Sequence, residues 1–212
     1  MKRAPRLATG TAALLLAGWT SAGCDAGAPP GPLLEAQLWK RAAPSIALAS
    51  GDHLAAGDEL FLTVLARRTV HLYVVSEDAS GRRQLLYPCR RDGITPPLAA
   101  GRPHRLPRPL LGRETFWPVR EVTPHERLLV LATRRPAAAL EDALHAPEGA
   151  PPCALALAGE AWRWLDGLSV AAVPVRRQAR TGEVAGSWVK PGVAGEEVWT
   201  LAVDLAGAPD HG

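Results

Sequence analysis

The chain has 212 residues, 47% of them hydrophobic, and a formal net charge of +3 at neutral pH. That balance does not mark a nucleic-acid binder. Lys2, Arg3 and Arg6 lie in the first 23 residues, which hold no acidic side chain, and the rest of the chain carries 21 basic against 21 acidic residues. A surface for phosphates needs a basic excess on one face, so no nucleic-acid partner is expected.

Met1–Arg6 (MKRAPR) is short and basic, Leu7–Gly18 is apolar with small residues, and Ser21-Ala22-Gly23 precedes Cys24. This is the layout of an export signal. The apolar run is about a dozen residues, whereas crossing a bilayer takes about 20, so it does not read as a lasting membrane helix. Ser21-Ala22-Gly23-Cys24 resembles the bacterial lipobox, whose cysteine thiol takes a diacylglycerol. The resemblance implies a lipidated, palmitate-bearing Cys24 and a protein anchored at the bacterial cell envelope, with the membrane leaflet left open. Ordinary secretion with cleavage near Ala22 is the other reading. The following stretch, DAGAPPGPLLEAQ, is dominated by Pro, Gly and Ala and reads as a semi-rigid spacer. The expected organisation is a signal peptide over 1–23, the lipidated cysteine and spacer over 24–38, one β-rich domain over 39–206 and a tail over 207–212. A domain of about 170 residues is large enough to bury roughly 70% of its unfolded surface.

Glu59–Ala66 (ELFLTVLA) is nearly continuous in apolar residues, as in a strand buried on both faces. Val70–Val75 and Gln84–Tyr87 flank Glu77-Asp78-Ala79-Ser80-Gly81, a hairpin signal. The segment from Glu59 to Tyr87 is therefore expected to form adjacent antiparallel strands with Gly81 at the turn. Pro88–Pro109 reads as a long connection, and Phe116–Glu121, Arg127–Thr133 and Glu197–Leu205 as further strands. Pro136–Ala146 reads as a helix with proline in its first turn, and Gly159–Gly167 as a second, shorter one. The arginine pairs (67–68, 82–83, 90–91, 134–135 and 176–177) fall near strand ends and read as solvated edges. Strands followed by late helices point to a mainly β or α+β domain. A small antiparallel β-sandwich with one or two peripheral helices packed at an end is the expected fold.

Leu54-Ala-Ala-Gly57-Asp58-Glu-Leu60, then His71-Leu72-Tyr73-Val74, the Gly81 turn and Leu85-Leu86-Tyr87-Pro88 resemble the bacterial family called domain of unknown function 4384. Arg127–Pro136 is similar to that family's later strand. The resemblance implies a non-catalytic module of bacterial envelope and signalling proteins. The residues agree with a structural reading: Gly57-Asp58 ahead of a strand makes a turn in which the aspartate binds backbone amides.

No Gly-x-Ser-x-Gly, phosphate loop or His-Glu-x-x-His occurs, and the six histidines lie far apart in sequence. His71 reads as a half-buried or edge residue, and no cofactor or metal is expected. Asp52, Asp58 and Glu59 read as surface carboxylates near a turn. Cys89 and Cys153 either form a disulfide, natural in an oxidising compartment, or stay as two buried thiols. Trp117, Trp162, Trp164, Trp188 and Trp199 serve core and rim packing on one reading. On the other, exposed indoles such as Trp162 and Trp188 stack on a glycan. The expectation is thus an envelope-anchored, non-catalytic module that binds a protein partner or serves as an accessory subunit. A glycan or peptidoglycan binder is the alternative, and an enzyme comes third.

Overall fold

The computed structural model describes residues 34–89, 97–121, 123–145, 153–169, 187–189 and 198–207. The signal segment, Cys24, and most of the expected tail lie outside the described residues, as does the side chain of Trp188. The elements are β1 (Leu34–Lys40), β2 (Ile46–Ala47), β3 (His53–Leu54), β4 (Glu59–Ala66), β5 (His71–Asp78), β6 (Arg83–Tyr87), β7 (Pro103–Leu106), β8 (Trp117–Pro118), β9 (His125–Thr133), α1 (Ala138–Leu144), β10 (Leu155–Ala156), α2 (Gly159–Ser169), β11 (Ser187–Val189) and β12 (Val198–Gly207).

The strands form two sheets, one ordered β2-β1-β4-β7 with β8 also on β4, the other β10-β6-β5-β9-β12-β11 with β3 parallel to β12. Successive side chains of a strand point to opposite faces, so the consecutive apolar residues of β5, β9 and β12 serve two cores. Leu72 and Val74 of β5, Leu128 and Val130 of β9, and Leu201 and Val203 of β12 face Leu38, Leu62 and Val64 of the first sheet. Their neighbours Tyr73, Val75, Leu129, Leu131 and Ala202 face Leu140 of α1 and Leu165 of α2. The domain is therefore a β-sandwich, as expected, but its helices cover the outer face of one sheet rather than an end.

Several expectations need correction. The spacer does not reach residue 38, because Leu34, Ala36 and Leu38 alternate inward and make β1 a full strand beside β4. β4 and β5 are not a hairpin: β4 pairs with β1, β7 and β8, and β5 with β6 and β9, so the chain changes sheet between them. β4 is not buried on both faces either, since it alternates buried and half-buried positions. Of the expected strand at 116–121 only Trp117–Pro118 forms a ladder with β4, and Val119 bonds the turn at 57–58 instead. The connection from Pro88 to Pro109 contains β7. Pro136 stands before α1 rather than in its first turn, with Ala137 at the N-cap. The β5–β6 hairpin with Gly81 (φ 78°) at its turn is as expected.

Arg83 departs most from the solvated-edge reading, for its side chain is only 4% exposed. It donates from Nε to Glu77 (2.6 Å) and from Nη2 to Asp166 of α2 (3.2 Å), and its guanidinium lies 4.6 Å from the Trp162 ring centroid. The strand register continues the alternation of charge, with Arg83 opposite Glu77, Glu77 opposite Arg127 and Arg127 opposite Asp204. Arg127 Nε donates to Asp204 at 2.6 Å. This ladder closes one end of the helix-side core.

α1 has no side-chain N-cap of its own. Instead the Tyr73 hydroxyl, from β5, accepts from the Ala137 N–H (3.0 Å) and donates to Glu141 (2.6 Å). Tyr73→Phe strips a buried amide of its acceptor and should cost about 1–3 kcal/mol. Urea unfolding should show a lower midpoint at an unchanged slope.

Candidate functional site

An open cleft of about 850 Å³ is lined by residues of both sheets. Leu54, Leu60, Leu86, Leu128 and Leu205 line its floor, and Phe116, Trp117 and Val119 one wall. Asp78, Arg82, Gln84, Arg120, Glu121 and Glu126 line it with polar groups. An apolar interior with a polar surround is the usual composition of a binding surface.

Both turns singled out in the sequence frame this cleft. At the first, Gly57 takes φ 89°, a value that favours glycine, and Asp58 Oδ2 accepts from the Ala55 N–H at 2.8 Å. The Gly57 N–H donates to Val119 O and the Val119 N–H to Asp58 O, both at 2.8 Å. The turn therefore clasps the Trp117–Val119 wall, and Lys40 (3.3 Å) completes the surroundings of Asp58. At the second, Asp78 accepts from Ser80 N (2.9 Å) and Arg82 N (3.1 Å) and pairs with Arg82 Nε (2.7 Å). Pro88 follows β6, and Cys89 after it is joined to Cys153 with Cα atoms 4.8 Å apart. Of the open alternatives, the disulfide is the one present, and Cys153 and Ala154 line the cleft beside it.

Two carboxylates of the cleft, Asp78 and Glu126, are shifted in opposite senses. Burial pushes Asp78 up, but the hydrogen bonds from Ser80 and Arg82 outweigh it and bring the carboxyl down to about 2. Burial pushes Glu126 above its ordinary value, aided by the nearby Asp78 charge and opposed by the Thr123 hydrogen bond, His125 and Arg82. Asp78, depressed in the fold, contributes stability above its ordinary 3.8 that is lost as pH falls through about 2. Glu126, raised in the fold, costs stability when ionised, and that cost fades as pH falls toward its ordinary 4.5. Glu126→Gln should therefore raise the melting temperature at pH 7, with the gain shrinking toward pH 4.5. Calorimetry across that range checks the sign.

The remaining candidates are dispersed. His71 is half-buried on β5. Asp52 caps its own turn by accepting from Ala49 N at 2.8 Å, and Glu59 Oε2 meets Arg41 at 2.5 Å. Trp162 is 38% exposed, but the Arg83 guanidinium occupies one face of its ring. Trp199 is buried in the inter-sheet core, and Trp164 packs half-buried against the helix-side core. Trp39, which the sequence reading passed over, stacks on Phe61 at 6.1 Å between centroids and donates to Thr63 Oγ1 (2.9 Å). Among the described residues, no group of three or more His, Cys, Asp or Glu could hold a metal ion, and no helix is long and apolar enough to cross a membrane.

The fold and the cleft define a β-sandwich module with helices over one sheet and a cleft lined from both sheets. Residues 53–136 match the family described as domain of unknown function (DUF4384), so the chain carries a DUF4384-like module. No curated protein and no solved structure matches the chain. The matched stretch holds every described residue lining the cleft except Cys153, Ala154 and Leu205. β1, both helices and β12 lie outside it and complete the two cores.

Proposed function

We propose that this is a lipid-anchored protein of the bacterial envelope whose β-rich domain is a non-catalytic binding module, with the inter-sheet cleft receiving a segment of a protein partner. One observation carries the reading: three residues of the family pattern, Leu54, Leu60 and Leu86, line the cleft together. The Gly57-Asp58 and Gly81 turns hold its edges. The surrounding polar groups engage one another, Asp78 with Arg82 and Thr123 with Glu126, which suits recognition better than proton transfer. An apolar floor ringed by both signs of charge suits an extended peptide with alternating apolar and polar side chains.

Two measurements test the proposal. The wild-type protein should sediment with membranes, whereas Cys24→Ser should appear largely in the soluble fraction or as unprocessed precursor. Equal partitioning and processing of the two forms would remove the anchor. For the cleft, Leu86→Arg places a charge on its half-buried floor. A partner that co-purifies with wild type from solubilised membranes should be lost from this variant and kept by Glu160→Arg, on the exposed start of α2.

A further inference from the structure

Between β7 and β8, residues 107–116 leave the sheet and return as a short finger. Leu110 and Arg113 exchange both backbone hydrogen bonds at 2.9 Å, so Leu111 and Gly112 alone make the turn. Their φ values are 50° and 74°. Two positive φ angles in a two-residue turn are the pattern that Asn-Gly or Asp-Gly normally supplies. A leucine there is an outlier, and outliers of this kind gather where a surface is used. Leu111 is 94% exposed and Leu110 is 40% exposed.

The finger is fastened at its base. Thr115 Oγ1 donates to Arg108 O (2.6 Å), and Arg105 Nη1 donates to Pro107 O (3.1 Å) and Thr115 O (3.0 Å). The Arg105 guanidinium lies 4.5 Å from the Phe61 ring centroid and 4.7 Å from that of Phe116. Residues 97–120 hold five arginines and one glutamate, whereas the chain beyond residue 23 is neutral overall. Exposed Arg108 and Arg113 stand on either side of the two leucines.

We infer that this finger docks on an anionic lipid surface, with Leu110 and Leu111 entering the headgroup–acyl boundary and Arg108 and Arg113 facing the lipid phosphates. Two side chains are too little for a protein interface, which buries about 800 Å² per partner. Adhesion to a membrane surface grows with buried apolar area and with the attraction of cations to anionic lipids, and the finger offers both. The inference does not depend on Cys24. A lipid anchor tethers the chain, whereas the finger would orient the domain.

The test uses the full chain with Cys24→Ser and Leu111→Cys, labelled at position 111 with an environment-sensitive fluorophore. Vesicles of phosphatidylcholine with phosphatidylglycerol should shift the emission to the blue and shield the label from iodide. Phosphatidylcholine alone should not, nor should either vesicle affect a label at Glu160→Cys. Arg108→Gln with Arg113→Gln should weaken vesicle binding about 25-fold, at about five-fold per charge. No shift at position 111 with either vesicle, equal shifts with both, or an equal shift at position 160 would overturn the proposal. The first of these outcomes would leave a protein groove as the finger's receptor.

Discussion

Arg83→Ala should lower the stability of the folded domain by about 3 kcal/mol, the low end of what breaking a buried ion pair costs. The low end applies because Asp166, one of its two anionic partners, is 55% exposed and regains water when the guanidinium is removed. Glu77 does not, since its side chain is only 17% exposed and would be left as a shielded carboxylate beside the helix-side core. The guanidinium also donates to the Trp162 carbonyl (3.0 Å), so the change loosens α2 from β6 as well. At about 2–4 °C per kcal/mol for a domain of this size, the melting temperature should fall by about 6–12 °C. Arg83→Lys keeps the charge but cannot reach Glu77, Asp166 and the Trp162 carbonyl with one planar fork, so it should fall between the two. Calorimetry that left Arg83→Ala within a degree of wild type would mean the ladder is solvated in solution.

The second large effect is expected from the Cys89–Cys153 bridge. The cysteines are 64 residues apart in sequence, and a loop of that length is worth about 4 kcal/mol in the chain-entropy description. Reduction, or replacement of both cysteines with alanine, should lower the melting temperature by about 8–16 °C. Because β10 pairs with β6 two residues after Cys153, the same change should free that edge and alter the cleft beside it. A melting curve indifferent to reductant would place the domain's stability in its two cores alone.

How much of this was legible in the sequence depends on whether the signal is local. β4, β5, β6, β9 and β12 announce themselves by runs of β-branched and aliphatic residues, and the β5–β6 turn by Asp78 and Gly81. Both helices are visible near their true limits. β1 was missed because Leu34, Ala36 and Leu38 follow a Pro- and Gly-rich stretch whose composition masks their alternation. The choice of partner is not local at all. A short connection from Ala66 to His71 reads as a hairpin, but β1 and β7 take both edges of β4, and β5 finds β6 and β9 instead. Arg83 looks like any other paired arginine until α2 brings Asp166 and Trp162 over it.

The cleft was hidden for the same reason, being assembled from β4, β5, β6, β8, β9 and the end of β12. Its frame was nevertheless in view, since the Gly57-Asp58 and Gly81 turns were read as structural and are what hold its edges. The glycan reading rests on exposed indoles such as Trp162 and Trp188: Trp162 is 38% exposed with the Arg83 guanidinium over one face of its ring, and the Trp188 side chain lies outside the described residues.

The central claim is that the cleft is where a partner binds, and in-cell photocrosslinking tests it most directly. A photoreactive amino acid would be placed at Thr123, in the cleft, and separately at Glu160, on the exposed start of α2. Illumination of intact cells should give a discrete higher-mass adduct from position 123, absent at position 160 and abolished by Leu86→Arg. Adducts of equal yield at both positions, or a position-123 adduct unaffected by Leu86→Arg, would contradict the claim.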